Sequence, residues 1–180
     1  MSYYNDEYPQ AVFLDRDGTI GGNGKLIKPD DFILYPYSKQ AIELLKKNEI
    51  KVYSLTNQPG ISTGETELSK VKEQLITYGF DKVYICPHTE QDDCECRKPK
   101  PGMLFKAAEE NSLDLTRCFV IGDSWRDMLA ANAAVTHKIL VKTGDGEVSY
   151  RKLEAIYSYV SLDYYAENLF DAVKWILGKR

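Results

Sequence analysis

Short apolar segments alternate with amphipathic segments along most of this chain, and that alternation limits the folds open to it. Apolar runs typical of strands lie at residues 12–14, 52–55, 83–85, 119–121 and 139–141. Apolar residues at helical spacing lie between them, at residues 38–47, 65–78, 101–111 and around Met128. A regular alternation of strand and helix predicts an α/β fold, a doubly wound parallel sheet with helices on both faces.

Particular residue types predict where these helices begin and end. Ser38 is predicted to cap the first helix, because a serine hydroxyl accepts a hydrogen bond from a free N–H group there. Gly79 is predicted to follow the end of the second helix, and Pro101 to start the third. We also expect a C-terminal amphipathic helix over about residues 164–180.

Composition is that of an ordinary globular protein. The 180 residues are 43% hydrophobic and 28% charged, enough to form a core without disulfides, and we expect a single domain over residues 1–180. A net charge of −4 argues against nucleic-acid binding, and no apolar run reaches the length of about 20 residues that spans a bilayer. The acidic residues 1–7 are unlike a signal peptide, so we expect a cytoplasmic protein. We also expect a monomer or weak homo-oligomer.

Acidic residues follow two of the predicted strands. Asp15 and Asp17 come directly after the first strand, and Asp123 and Asp127 follow the fourth. Ligands of such sheets bind beyond the carboxyl ends of the strands, so these side chains are expected to converge. Converging carboxylates repel one another unless a hard cation lies between them, and Mg²⁺ prefers oxygen ligands.

Polar residues after other strands complete this set. Thr56 and Asn57 offer hydrogen-bond donors, and Lys98 offers a fixed positive charge, which suits attack of a carboxylate on phosphorus. Taken singly, each motif has a plainer interpretation: Asp-x-Asp-Gly as a turn, Gly-Asp-Ser as a helix cap, Lys98 as a solvated charge. Their occurrence together, each after a separate predicted strand, favours the phosphoryl site.

Four motifs carry a resemblance to a known family. They are Asp15-Arg16-Asp17-Gly18-Thr19, Thr56-Asn57, Lys98 and Gly122-Asp123-Ser124-Trp125-Arg126-Asp127. In this order they resemble the motifs of the haloacid dehalogenase (HAD) superfamily of phosphatases, over about residues 12–141. The resemblance implies a Rossmann-like fold and a Mg²⁺-dependent phosphomonoester hydrolase.

The same resemblance implies a role for each motif residue. Asp15 is the expected nucleophile, which forms an aspartyl-phosphate, and Asp17 the expected general acid and base. Thr56, Asn57 and Lys98, together with the neighbouring Arg97, are expected to bind substrate. Asp15, Asp123 and the backbone carbonyl of Asp17 are the expected Mg²⁺ ligands, and Asp127 is expected to orient them. Thr19 is expected either to support the first loop with a hydrogen bond or to have no functional part.

Three cysteines and a histidine lie within eleven residues of one predicted loop: Cys86, His88, Cys94 and Cys96. Three thiolates and one imidazole form a closed tetrahedral set suited to structural Zn²⁺. The competing interpretations are buried apolar cysteines, a disulfide, which is uncommon in the cytoplasm, and a catalytic Cys–His pair. Because Arg97 and Lys98 follow directly, a zinc site there would aim both cations at a phosphate. The remaining cysteine, Cys118, is expected in the core.

The Cys-x-His…Cys-x-Cys-Arg-Lys-Pro arrangement resembles one branch of the superfamily, built without a separate cap domain. That branch contains the D-glycero-D-manno-heptose 1,7-bisphosphate phosphatases and the histidinol-phosphate phosphatases. The loop at residues 21–28 departs from both groups, whereas Pro101-Gly102-Met103 favours the heptose type. The expected substrate is a small phosphorylated metabolite, most simply a sugar bisphosphate. Alternatives are a histidinol-phosphate phosphatase, a polynucleotide 3′-phosphatase and a non-catalytic zinc-dependent binding module.

Overall fold

The computed structural model describes residues 8–178. Residues 1–7, on which the signal-peptide argument rests, and residues 179–180, the end of the expected C-terminal helix, lie outside this range. Its strands are β1 (Ala11–Leu14), β2 (Lys51–Ser54), β3 (Thr56–Asn57), β4 (Ile85–Cys86), β5 (Cys118–Gly122), β6 (His137–Val141) and β7 (Tyr164–Ala166). Its α-helices are α1 (Ser38–Lys47), α2 (Leu68–Thr77), α3 (Gly102–Asn111), α4 (Trp125–Ala133), α5 (Gly146–Ile156) and α6 (Leu169–Gly178).

Five strands form a parallel sheet in the order β2-β1-β5-β6-β7. In its register Leu14, the last residue of β1, lies beside Ser54 of β2 and Ile121 of β5. The chain segments that leave β1 and β5 therefore emerge side by side at the carboxyl edge of the sheet. The short strands β3 and β4 pair in parallel as a separate two-stranded sheet.

Helices pack on both faces of the sheet because its strands carry apolar side chains on both. Along β1, Val12 and Leu14 belong to one core cluster, and Ala11 and Phe13 to the other. The first cluster includes residues of α1, α2 and α6, and the second includes residues of α3 and α4. Since β1 is fully buried, the segment after it begins at the centre of the molecule. The predicted α/β fold class is confirmed.

Several element ends differ from the prediction. Ser38 is not the cap of α1: Tyr37 holds that position, and the Ser38 hydroxyl is buried without a hydrogen-bond partner among the described residues. Pro101, the predicted first residue of the third helix, is instead the cap residue of α3, which begins one position later at Gly102. Gly79 does follow the end of α2, with a φ of 100° that suits glycine.

The C-terminal third contains two elements that the sequence did not predict, α5 and β7. Because β7 occupies residues 164–166, the expected C-terminal helix begins later, at Leu169. That helix, α6, packs on α1 on one face of the sheet. Across residues 8–178, every helix is too short or too polar to cross a membrane.

Candidate active site

Three carboxylates meet where β1 and β5 end. Asp15, Asp123 and Asp127 each place a carboxylate oxygen within 4.8 Å of the other two, and all three side chains are buried. Asp15 is fixed directly by the sheet, since its backbone N–H donates to the Ile121 carbonyl at 3.0 Å. The aspartates of the first and fourth motifs therefore converge, as the sequence predicts.

Glycines make room for this cluster. Gly18 has a φ of 91°, and a Cβ atom there would lie 2.0 Å from Oδ2 of Asp123. A Cβ atom on Gly144, whose φ is 58°, would lie 2.1 Å from the same oxygen. Both positions therefore need glycine for conformation and for space. Gly144 is also followed by Asp145, whose backbone N–H donates to Oδ2 of Asp123 at 2.8 Å.

Lys98 is the cation that faces these carboxylates from inside the protein. Its ammonium donates to Oδ1 of Asp15 at 2.9 Å, to Oδ1 of Asp127 at 2.5 Å and to the Leu55 carbonyl. Burial disfavours this charge, but the carboxylates of Asp127 and Asp15 outweigh burial and raise the pKa of Lys98. Lys98 is therefore held as a permanent positive charge.

Asn57 fixes the backbone of Lys98 rather than lying free in the cleft. Its Oδ1 accepts from the Lys98 N–H at 3.0 Å, and its amide donates to the Lys98 carbonyl at 3.1 Å. Its predicted contact with substrate therefore competes with two hydrogen bonds inside the protein. Thr56 is buried, and its hydroxyl accepts from Gln58 at 3.0 Å.

The electrostatics of the cluster fit a divalent cation that binds oxygen. Burial, and then the charges of Asp15 and Asp127, raise the pKa of Asp123 to about 9. Burial likewise raises the pKa of Asp127 to about 6, although the Lys98 ammonium opposes that shift. One ammonium thus does not compensate three buried carboxylates, whereas a divalent ion with oxygen ligands would restore their charged forms.

Asp17 lies in a separate hydrogen-bond network. Its Oδ1 accepts from Nη1 of Arg16 at 2.7 Å and from the Ile27 N–H at 3.1 Å, and its Oδ2 accepts from Gln58 at 2.7 Å. Its carboxylate is not one of the three, from Asp15, Asp123 and Asp127, whose oxygens lie within 4.8 Å of one another. Burial is the main cause that raises the pKa of Asp17, which favours a group able to hold a proton.

Arg16 is a site residue that the sequence analysis missed. Its side chain is fully buried, with its guanidinium 3.8 Å from the centre of the Phe32 ring. Besides Asp17, it donates to Oε1 of Gln74 at 3.1 and 2.9 Å and to the Ile27 carbonyl at 2.9 Å. Arg16 thereby joins the Asp17 carboxylate to α2 and to the loop before α1. The sequence offered one indication of this role, the position of Arg16 between Asp15 and Asp17.

Both carboxylate networks open into one cleft of about 220 Å³. Among the predicted residues, Asp15, Asp17, Asn57, Arg97, Lys98, Asp123 and Asp127 line it. The sequence analysis did not single out six other lining residues as ligands: Gly24, Leu26, Pro59, Ser124, Arg126 and Asp145. The cleft is therefore an open pocket lined mostly by charged residues, with the carboxylate cluster as its floor.

One of the plainer interpretations, a helix cap at Gly-Asp-Ser, holds beside the functional one. Ser124 does cap α4: its hydroxyl accepts from the Arg126 N–H, while the Asp127 carboxylate accepts from the Ser124 N–H. Asp127 thus both caps a helix and pairs with Lys98. The expected supporting hydrogen bond of Thr19 is not formed, since its buried hydroxyl has no partner among the described residues.

The cysteines and the histidine of the 86–96 loop form a second cluster. Sγ of Cys96 lies 3.2 Å from Sγ of Cys86, 3.5 Å from Sγ of Cys94 and 3.3 Å from Nδ1 of His88. All four cysteines of the chain are free thiols, with Cys118 in the core. For a tetrahedral ion with Zn–S bonds of about 2.3 Å, sulfur atoms lie about 3.8 Å apart, close to these separations.

The Cys/His cluster connects to the cleft through its neighbours. Arg97 lines the cleft, and its Nη1 donates to the His88 carbonyl at 3.2 Å. The backbone of the Cys/His cluster thus helps to hold this guanidinium. Gly102, at the start of α3, presses on the same loop, where a Cβ atom would lie 2.3 Å from the Glu95 carbonyl oxygen. The loop therefore packs closely against the helix that follows Lys98.

Comparisons with known proteins agree with this geometry. The HAD-hyrolase-like family model matches residues 95–172. The chain is 35% identical to the D-glycero-beta-D-manno-heptose-1,7-bisphosphate 7-phosphatase of Pasteurella multocida, over 94% of this chain and 97% of that protein. It is 36% identical to the protein of the same name from Helicobacter pylori strain J99, over 93% and 97% of the two chains.

A solved structure shares the fold over nearly the whole chain. It is the crystal structure of D,D-heptose 1.7-bisphosphate phosphatase from B. bronchiseptica, complexed with magnesium and phosphate. The TM-score is 0.80 at 30% identity, over 95% of this chain and 99% of that one. The two proteins therefore share one fold.

Proposed function

The chain belongs to the HAD family of phosphatases, in the branch that contains the heptose bisphosphate phosphatases, and on this premise we propose that it hydrolyses a sugar bisphosphate. The proposed substrate is D-glycero-D-manno-heptose 1,7-bisphosphate, and the proposed product is the 1-phosphate. One observation carries the chemistry: Asp15, Asp123, Asp127 and Lys98 meet on the floor of a cleft that Asp17 also lines.

In the proposed first step Asp15 is the nucleophile. Oδ1 of Asp15 already accepts from Lys98, which leaves the other oxygen to attack phosphorus. A bond forms between that oxygen and phosphorus as the bond from phosphorus to the sugar oxygen breaks. Asp17 gives its proton to the leaving oxygen, and its hydrogen bonds to Arg16 and Gln58 hold it in place.

In the proposed second step water cleaves the aspartyl-phosphate. Asp17, now a carboxylate, takes a proton from water as the water oxygen attacks phosphorus, and Asp15 leaves as a carboxylate. Lys98 keeps one positive charge beside the phosphoryl oxygens throughout. Mg²⁺, held by Asp15, Asp123 and the Asp17 carbonyl and oriented by Asp127, would neutralise further charge on the phosphoryl group.

We further propose that the Cys/His cluster binds structural Zn²⁺ through Cys86, His88, Cys94 and Cys96. The four donors form a closed set without a position for substrate, as in structural zinc sites. Reduced thiols are required, which agrees with the cytoplasmic location expected from the sequence. Elemental analysis of the purified protein is expected to find about one zinc per chain, and zinc-free protein with freely reacting thiols would contradict this role.

A panel of phosphate esters tests the proposed substrate. With Mg²⁺ present, the heptose bisphosphate is expected to give a higher kcat/KM than sugar monophosphates, histidinol phosphate or a 3′-phosphorylated oligonucleotide. A highest value for histidinol phosphate would replace the sugar with an amino alcohol while leaving the mechanism intact. Failure to release phosphate from any ester, an aryl phosphate included, would favour the non-catalytic zinc-dependent module.

A further inference from the structure

The cleft provides few cations for the part of a substrate that does not react. Five carboxylates line it, against the three cations Arg97, Lys98 and Arg126. Lys98 is already held between Asp15 and Asp127 on the floor. For a second anionic group, remote from the reacting phosphate, the remaining cations of the cleft are the guanidinium groups of Arg97 and Arg126.

These two guanidinium groups are held differently. Arg97 donates to the His88 carbonyl, so its position depends on the Cys/His cluster. Arg126 is half-buried, and within residues 8–178 no carboxylate forms an ion pair with it. Its side chain instead contacts an aromatic ring, since its guanidinium carbon lies 4.4 Å from the centre of the Trp125 ring.

Trp125 is itself held by α5 and the residue that ends it. The Tyr157 ring stacks on Trp125 with centres 5.4 Å apart and planes 15° from parallel. Nζ of Lys152 lies 3.8 Å from the centre of the Trp125 ring. A guanidinium resting on a fixed ring is ordered before a ligand arrives, and its N–H groups remain available at the ring's edge.

Resting on the proposed function, we propose that Arg126 determines specificity by binding the phosphate of the bisphosphate that is not transferred, with Trp125 as its positioning residue. A guanidinium suits this part because its planar fork of N–H donors matches two phosphate oxygens at once. Arg126 acts on binding and not on the reacting atoms. Its loss should therefore appear mainly in KM, and mainly for substrates with two phosphates.

The test compares hydrolysis of the heptose 1,7-bisphosphate with that of the heptose 7-phosphate. For Arg126→Gln, the ratio of the two kcat/KM values is expected to fall about 10- to 100-fold relative to wild type, mainly through KM for the bisphosphate. Arg126→Lys is expected to restore part of the ratio, because it keeps the charge but loses the fork. Trp125→Leu should lower the ratio less than Arg126→Gln, and Trp125→Phe should keep most of it.

The matched control is Arg151→Gln, which removes an exposed arginine of α5 away from the lining of the cleft. It is expected to keep the wild-type ratio, and a fall like that of Arg126→Gln would reduce the effect to general electrostatics and overturn the inference. An unchanged ratio in Arg126→Gln, with a wild type that prefers the bisphosphate, overturns this inference alone. A wild type that does not prefer the bisphosphate overturns the proposed substrate as well.

Discussion

The carboxylate cluster and the Cys/His cluster are both sets of candidate metal ligands, but the chain assembles them in opposite ways. Asp15 and Asp123 come from distant parts of the chain and are brought together by two buried parallel strands. The Cys/His ligands all lie within residues 86–96, mostly half-buried in one loop. The first cluster contains its own counter-charge, Lys98, whereas the second contains only thiols and a ring nitrogen.

This difference indicates different parts for the two proposed metals. The sheet register and Lys98 place the carboxylates through protein contacts, so Mg²⁺ would enter a site formed largely without it. The Cys/His loop has only short turns and one small strand to hold it, so Zn²⁺ would contribute to its folding directly. Loss of a carboxylate from the first cluster should therefore affect activity more than stability, and loss of a ligand from the second the reverse.

The largest expected effect on activity is that of Asp15→Asn. Without the carboxylate nucleophile, kcat should fall by at least about 10⁴-fold. The amide oxygen can still accept from Lys98, and one of three crowded charges is removed, so the free energy of unfolding should change by no more than about 1 kcal/mol. Phosphate release and thermal unfolding measure the two quantities. Near wild-type turnover would assign the nucleophile elsewhere.

Lys98→Met should lower activity and stability together. It leaves Asp15 and Asp127 buried without their cation, which is expected to cost about 3–5 kcal/mol of unfolding free energy and about 10³-fold in kcat/KM. Adding Asp127→Asn should recover part of the stability but not the activity. If the double variant stays as unstable as Lys98→Met, uncompensated charge is not the cause.

Gly18→Ala tests whether the close approach to Asp123 matters. Its Cβ atom would displace Asp123, and kcat/KM is expected to fall about 10²-fold. Gly64→Ala is the matched control, because Gly64 also has a positive φ, 77°, but a Cβ atom there would meet nothing within 4 Å. The control should lose only about 1–2 kcal/mol of stability through backbone strain. Equal activity losses would show that strain alone is responsible.

The smallest expected effect on activity is that of Cys94→Ala. It should remove most of the bound zinc and lower the melting temperature, while kcat/KM falls about 10-fold as Arg97 and Lys98 lose their support. Cys118→Ala, a buried cysteine outside the cluster, should keep its zinc and lose only about 1–2 kcal/mol through packing. Full zinc content in Cys94→Ala would show that the four residues do not act as one site.

The sequence by itself determined the fold class and the order of the motifs. Runs such as 119–121 are recognisable because a strand buried on both faces must be apolar throughout, and polar residues can follow only where it ends. The three cysteines and the histidine could be grouped for a different reason: their donors are close in the chain, so little tertiary structure is needed to unite them. The separations of 3.2–3.6 Å in that loop confirm the grouping.

Only the tertiary structure decided what supports these groups. Helix α5 escaped prediction because its buried positions are Gly146, Ser149 and Leu153, which form no apolar stripe, yet it holds Trp125 and through it Arg126. From its sequence alone, Arg16 resembles a charged surface residue. Its burial depends on hydrogen bonds to Gln74 of α2 and to the Ile27 carbonyl. Such contacts join residues far apart in sequence, and no local pattern encodes them; packing alone selects which polar side chains are turned inward.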